Sequence, residues 1–408
     1  MNFNQSKNYI EELNLRGSIL SLDNIKALMD ALGNPQDKLK FVHVAGTNGK
    51  GSVCKYISEM LIKSGYKTGI YTSPVVFEYL EKIRIGHRNI SQKAFAECAS
   101  FIKEVAKSNN INVTAFEFET ALAFLYFEKS NCDIVVLETG LGGKTDATNI
   151  EKTSVLSVIT SISMDHYGVI GKRLCEIAEV KAGIIKNGVP VVYAPANSEV
   201  EDVIVKQAHL LNSNAIKTLG NEAALYKIGM QGEYQKINAS VAVVAAQELN
   251  KAGFIIKDDV VKKVLSTALL DGRFEIIKKK PLFIIDGAHN LDAAISLRQT
   301  LINKYSDKKK LFIIGVFADK DYESIVKNTV DLAENVVTVQ TQGSARALPS
   351  YELAKTVAKY NKNVSAADSI EEALEIVNLL KPEMVVAFGS LSYLGYLKKL
   401  IKDKGNGR

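Results

Sequence analysis

Cysteine is scarce in this chain. Four thiols in 408 residues (Cys54, Cys98, Cys132 and Cys175) stand more than thirty positions apart, and no CxxC pair occurs. That spacing excludes a disulfide frame and a thiolate metal site, and predicts reduced, mostly buried thiols. No apolar run approaches the ~18–20 residues of a membrane span, and residues 1–7 do not open a signal peptide. No membrane partner is therefore expected, and a cytoplasmic location is. Internal repeats and low-complexity segments are also missing. Charge of one sign is not concentrated either: the net charge of +6 is spread over lysine-rich faces such as residues 278–280 and 308–310. These read as solvated turns, so nucleic acid is not an expected partner, whereas a small anionic substrate suits the balance. The length predicts two domains.

What is present centres on residues 41–60. A short apolar run, residues 41–44, reads as a buried strand; Gly46, Gly49 and Gly51 follow with Lys50 and Ser52 among them; a helical pattern starts at about Ser52. Strand, glycine loop and helix N-terminus form a phosphate site, because bare N–H groups and the positive end of the helix dipole converge there. Lys50 adds a point charge for the outer phosphates and Ser52 a hydroxyl for Mg²⁺. The spelling departs from G-x-x-x-x-G-K-[ST], since Gly51 separates Lys50 from Ser52.

Two helices are expected before this strand. After it, strands are expected at 68–72, 82–86, 133–137, 154–163 and 189–194, with helices at 92–107, 116–128 and 173–186. Unbroken apolar runs such as 133–137 are what parallel strands buried on both faces require. The fold class expected is α/β: a larger P-loop-type doubly wound N-terminal domain (1–271) and a smaller Rossmann-like C-terminal domain (272–408). In such sheets ligands sit beyond the carboxyl ends of the strands, and the 46–52 loop, Ser73, Glu138 and His166 all fall at such ends. His43 and His209 read as structural, and the 116–127 aromatic stripe as core.

Several segments taken together resemble a known family. They are Gly46-Thr47-Asn48-Gly49-Lys50-Gly51-Ser52, Thr72-Ser73-Pro74, Glu138-Thr139-Gly140-Leu141-Gly142-Gly143, Asp146-Ala147-Thr148-Asn149, Asp165-His166, Lys181-Ala182-Gly183-Ile184-Ile185-Lys186, Gly272-Arg273-Phe274-Glu275 and Asp286-Gly287-Ala288-His289-Asn290. Their order and spacing are similar to folylpolyglutamate synthase, a Mur-type ligase family whose bacterial members often also act as dihydrofolate synthase. The resemblance spans about residues 8–400.

It implies an ATP-driven amide ligase that activates the γ-carboxylate of a folate (or dihydropteroate) as an acyl phosphate for attack by L-glutamate. Two anions must meet, so cations and backbone dipoles are needed to stabilise the transferring phosphoryl. Carried over by position, Thr47, Asn48, Gly49, Lys50, Gly51 and Ser52 bind ATP, together with Asn238, Arg273, Asp286 and His289. Ser52, Ser73 and Glu138 hold one Mg²⁺; His166 and Lys181, as its carbamate, hold a second. Lys50, Lys181, His166 and His289 are the expected catalytic set. Ser390 is a glutamate contact, Lys320, Asp321 and Arg346 lie in softer family segments, and a monomer with hinge closure is expected. Departures are Val75-Val76 after Ser-Pro and Lys144-Thr145 before Asp146. They keep open a Mur-type ligase acting on another acid. A P-loop NTPase driving a macromolecular partner is the third reading, disfavoured by Glu138 in its glycine-rich setting.

Overall fold

The computed structural model describes all residues except 16, 18, 165–169, 342–345 and 406–408, and the side chains of 404 and 405. The chain forms two compact units, each built on a mixed sheet. The first comprises Met1–Pro74, Glu78–Lys227 and Lys236–Ala268; the second comprises Val75–Phe77, Ile228–Gln235 and Leu269–Arg408. The division is therefore not one cut near residue 271, because two short upstream segments fold with the C-terminal unit.

The first unit carries strands β1 (Phe41–Ala45), β2 (Thr68–Tyr71), β3 (Ile83–Ile85), β4 (Arg88–Asn89), β5 (Ile134–Glu138), β6 (Ser154–Ile159), β7 (Val191–Tyr193) and β8 (Ala215–Lys217), in the order β4-β3-β2-β5-β1-β6-β7-β8. Pairing is parallel except at the β2–β3 and β3–β4 hairpin edge. β1 and β5, central and buried on both faces, are wholly apolar but for His43 and the terminal Glu138. Helix Ala115–Lys129 packs its aromatic residues into the core of this unit and starts at a Thr114–Glu117 capping box. The aromatic stripe is core, as its composition suggests.

The second unit orders β9 (Glu275–Lys279), β10 (Leu282–Asp286), β11 (Lys310–Ile314), β12 (Asn335–Thr338), β13 (Val364–Ala366) and β14 (Met384–Phe388) as β13-β12-β11-β14-β10-β9. Only β9 runs antiparallel to its neighbour. Apolar clusters cover both faces of this sheet, around Phe312 and Phe388 on one side and Ile313 and Tyr393 on the other. Among the described residues no helix is long and apolar enough to cross a membrane.

Two local differences have tertiary causes. The helix expected over 173–186 is Leu174–Ala182. It stops because the Lys144 N–H takes the Val180 carbonyl (2.7 Å) and the Asn149 amide takes the Gly183 carbonyl (3.0 Å). The helix after the glycine loop starts at Lys50, not Ser52, capped by Gly49 in the left-handed conformation (φ 89°).

Candidate functional site

In the first unit the site is built on the carboxyl ends of β1, β5 and β6. Gly46 leaves β1 so close to β6 that a Cβ on it would lie 1.8 Å from Thr160 Oγ1. Thr160 in turn donates to the Asn48 carbonyl at 2.7 Å. The Thr47 N–H bonds the Ser161 carbonyl (2.7 Å), and its hydroxyl donates to the Ser163 carbonyl (3.0 Å). The loop is thus stitched to the residues that follow β6. Gly49 faces Asn238: a Cβ there would lie 2.3 Å from Asn238 Oδ1. Asn238, which the resemblance assigns to the nucleotide, belongs to the first unit.

Lys50 donates to the Gly46 carbonyl at 3.1 Å, and Lys181, only 4% exposed, donates to the same oxygen at 2.7 Å. Two ammonium groups therefore meet on one carbonyl beside the N-terminus of the helix that starts at Lys50. An anion placed there offsets their repulsion. That is the electrostatic requirement of a phosphate site.

Next to this loop the Ser73 N–H donates to Glu138 Oε2 at 3.2 Å, and Val44 stands in register with Glu138. Ser52 and Glu138 are both buried. Burial first, then the charge of Glu138, push the Cys54 thiol well up. Ser52, Ser73 and Glu138 offer oxygen donors only, a chemistry that would suit Mg²⁺ rather than a softer metal. His166 lies outside the described residues.

Behind the site runs a buried string that sequence reading did not connect. The Leu141 N–H and Thr148 hydroxyl bond Asp146 (2.7 and 2.5 Å). His43 Nε2 meets Thr148 Oγ1 at 2.9 Å, its Nδ1 meets Glu151 at 3.1 Å, and Lys186 pairs with Glu151 at 3.1 Å. Burial pushes Asp146 above its ordinary value. Burial alone would raise Glu151 too, but the His43 hydrogen bond and charge, with Lys186, hold it at about 2. The string ties the glycine-rich 140–149 segment to β1. A histidine inside an apolar strand is the only sequence signal for it.

In the second unit Asp286 ends β10. Its Oδ1 accepts the Ala288 N–H (2.9 Å) and its Oδ2 the Phe274 N–H and the Tyr234 hydroxyl (both 2.8 Å). Arg273 lies against Gly287, 2.4 Å from where a Cβ would stand. His289 Nδ1 meets the Gly287 carbonyl at 2.7 Å; that oxygen only accepts, so Nδ1 carries the proton. Arg273, Asp286 and His289 are thus brought together. Ser390 follows β14 and pairs with Ser392 (2.9 Å). Arg346 grips Asp319 in a two-point ion pair (3.1 and 2.6 Å), while Asp321 caps the helix after Lys320. Tyr234 and Asp319 were not singled out from the sequence. Tyr234 could have been, standing one helical turn before Asn238.

The model of the Mur ligase middle domain matches residues 44–235, and that of the Mur ligase glutamate ligase domain residues 272–391. Dihydrofolate synthase/folylpolyglutamate synthase of Bacillus subtilis is 31% identical over 93% of this chain and 95% of its own. The chain belongs to the folylpolyglutamate synthase/dihydrofolate synthase family. Folylpolyglutamate synthase of Lacticaseibacillus casei is 32% identical over 86% of this chain and 88% of its own. The solved structure of Mycobacterium tuberculosis folylpolyglutamate synthase complexed with ADP and AMPPCP superposes with a TM-score of 0.89 at 26% identity, covering 100% of this chain and 99% of that one.

Against the folylpolyglutamate synthase pattern, the Val75-Val76 departure has a packing explanation. Val76 packs against the apolar cluster of Leu391 and Leu394 in the second unit, and a Cβ on Gly395 would lie 1.9 Å from the Val76 carbonyl oxygen. Val76, half-buried, thus has a packing role, which weakens it as a sign of a different acid substrate.

Proposed function

We infer that this chain is an ATP-dependent ligase joining L-glutamate to the γ-carboxylate of a folate, with ADP and phosphate as products. The observation that carries the reading is the convergence of Lys50 and Lys181 on the Gly46 carbonyl, beside the paired Ser73 and Glu138. The phosphate-loop N–H groups and Lys50 hold the nucleotide's phosphates, and Asn238 braces Gly49. From the second unit Asp286 offers an acceptor, and Arg273 and His289 offer charge and a ring. Residues 1–271 thus supply most of the nucleotide and metal contacts. Residues 272–408 supply further nucleotide contacts and, through Ser390, a contact for glutamate.

Ser52, Ser73 and Glu138 would hold one Mg²⁺, and His166 with Lys181 a second; such ions would supply charge that offsets repulsion between the carboxylate and ATP. Lys181 serves as its carbamate, formed when CO₂ adds to the neutral amine and a proton leaves. Its burial beside a second lysine supports this, because the modification turns one of two crowded cations into an oxygen donor. Lys50 orients the phosphoryl group as the folate carboxylate attacks. The acyl phosphate that results is then opened by the amine of glutamate. Dependence on ATP suits a cytoplasmic enzyme, and one chain carries both family segments, so a monomer suffices.

The test is ADP release with L-glutamate plus tetrahydrofolate, then with L-glutamate plus dihydropteroate. Glutamate-dependent turnover with tetrahydrofolate is expected. Turnover with neither acceptor, but with another carboxylic acid, would overturn the folate assignment. ATPase activity independent of glutamate would overturn the ligase.

A further inference from the structure

We propose that Tyr234 is a positioning residue for the nucleotide: it fixes the Asp286 carboxylate so that Oδ1 presents a single acceptor site to a hydrogen-bond donor of the ligand. The proposal rests on the reading of Asp286 as a nucleotide contact. Each carboxylate oxygen accepts about two hydrogen bonds. Oδ2 already accepts two, from the Phe274 N–H and the Tyr234 hydroxyl, both at 2.8 Å. Oδ1 accepts one, from the Ala288 N–H at 2.9 Å, and keeps one position open. The two backbone donors are fixed by the fold, at the turn after β10 and at Phe274, held at positive φ (45°). The tyrosine hydroxyl is the one side-chain donor of the three.

Tyr234 is itself held in place. Its ring lies against Gly232, where a Cβ would stand 2.8 Å from Cε1, and Gln235 hydrogen-bonds its hydroxyl. Burial, and after it the charge of Asp286, raise the phenol well above its ordinary value, so the hydroxyl keeps its proton and donates. A carboxylate oriented this way recognises only donors. On a nucleotide these are the ribose hydroxyls and the amine of the base.

The experiment measures ADP affinity of the full-length chain by calorimetry for wild type, Tyr234→Phe, Asp286→Ala and the double variant. Removing one hydrogen bond to a charged acceptor predicts about tenfold weaker ADP binding for Tyr234→Phe. KM for L-glutamate should be unchanged and unfolding still cooperative. In the Asp286→Ala background the same change should cost nothing further, which a general loosening of the fold would not reproduce. Loss of the tenfold difference with 2′,3′-dideoxy-ADP assigns the donor to the ribose; loss with IDP assigns it to the base amine. Unchanged ADP affinity in Tyr234→Phe, or an equal loss with Asp286 already removed, overturns the proposal. Wild-type affinity in Asp286→Ala overturns the underlying reading of Asp286 and the proposal with it.

Discussion

Replacing Gly46 by alanine tests whether the phosphate loop is shaped by its fit to β6. The new methyl carbon would lie 1.8 Å from Thr160 Oγ1, 3.0 Å from Thr160 Cβ and 3.2 Å from its backbone nitrogen, at a φ of +153° that L side chains rarely adopt. The hydroxyl can rotate away, but its single proton then leaves the Asn48 carbonyl it bonds at 2.7 Å, a loss of about 1 kcal/mol. The Cβ contact cannot be rotated away. It forces β1 and β6 apart, an overpacking of about 1–3 kcal/mol. With about 1–3 kcal/mol of backbone strain added the total is about 3–7 kcal/mol, a large part of the ~5–15 kcal/mol that holds a typical domain together. For a unit of this size that lowers Tm by about 6–28 °C. Thermal unfolding and KM for ATP would be measured together, with Thr160→Ala in both backgrounds. The alanine at 160 removes the nearest clash and should recover part of the loss. Wild-type Tm and KM in Gly46→Ala, or no recovery on changing Thr160, would refute the account.

Three further outcomes are expected. Glu151, held at about 2 against a usual value near 4.5, contributes about 3 kcal/mol, present above the unfolded value and lost as pH falls through about 2. Glu151→Gln should therefore lower Tm at pH 7 by about 6–12 °C, with the gap from wild type closing towards pH 2; a gap independent of pH would count against the His43–Glu151–Lys186 string. Lys181→Ala should abolish ligation, and wild-type turnover in that variant would remove the carbamate assignment. Gly395→Ala should unseat residues 75–77 and speed chymotryptic cleavage after Phe77; unchanged cleavage would contradict that packing.

Local chemistry made much of this legible. The glycine loop, the acidic end of β5 and the Asp-Gly-Ala-His-Asn turn each announce themselves, because strand ends and tight turns demand particular residues. Contacts between distant segments left no such trace. That Val76 meets Gly395, or that Tyr234 meets Asp286, is a matter of which surfaces the sheets bring together, and short windows of sequence carry no record of it. Helix Ser198–Leu210 and β8 passed unnoticed for a plainer reason: they carry no motif and only a modest apolar face. His43 was legible as buried but not as a bridge, since its partners, Thr148 and Glu151, lie more than a hundred residues away.

The seat of Val76 against Gly395 also bears on the making of the protein. Residues 75–77 are translated early, yet their niche is completed only by the last helix, Leu391–Gly405, some three hundred residues later. A growing chain on the ribosome can form β1, β2 and β5 long before it can secure the stretch adjoining Ser73. A polypeptide truncated before residue 391 would thus leave a defect beside Ser73, far from the cut in sequence.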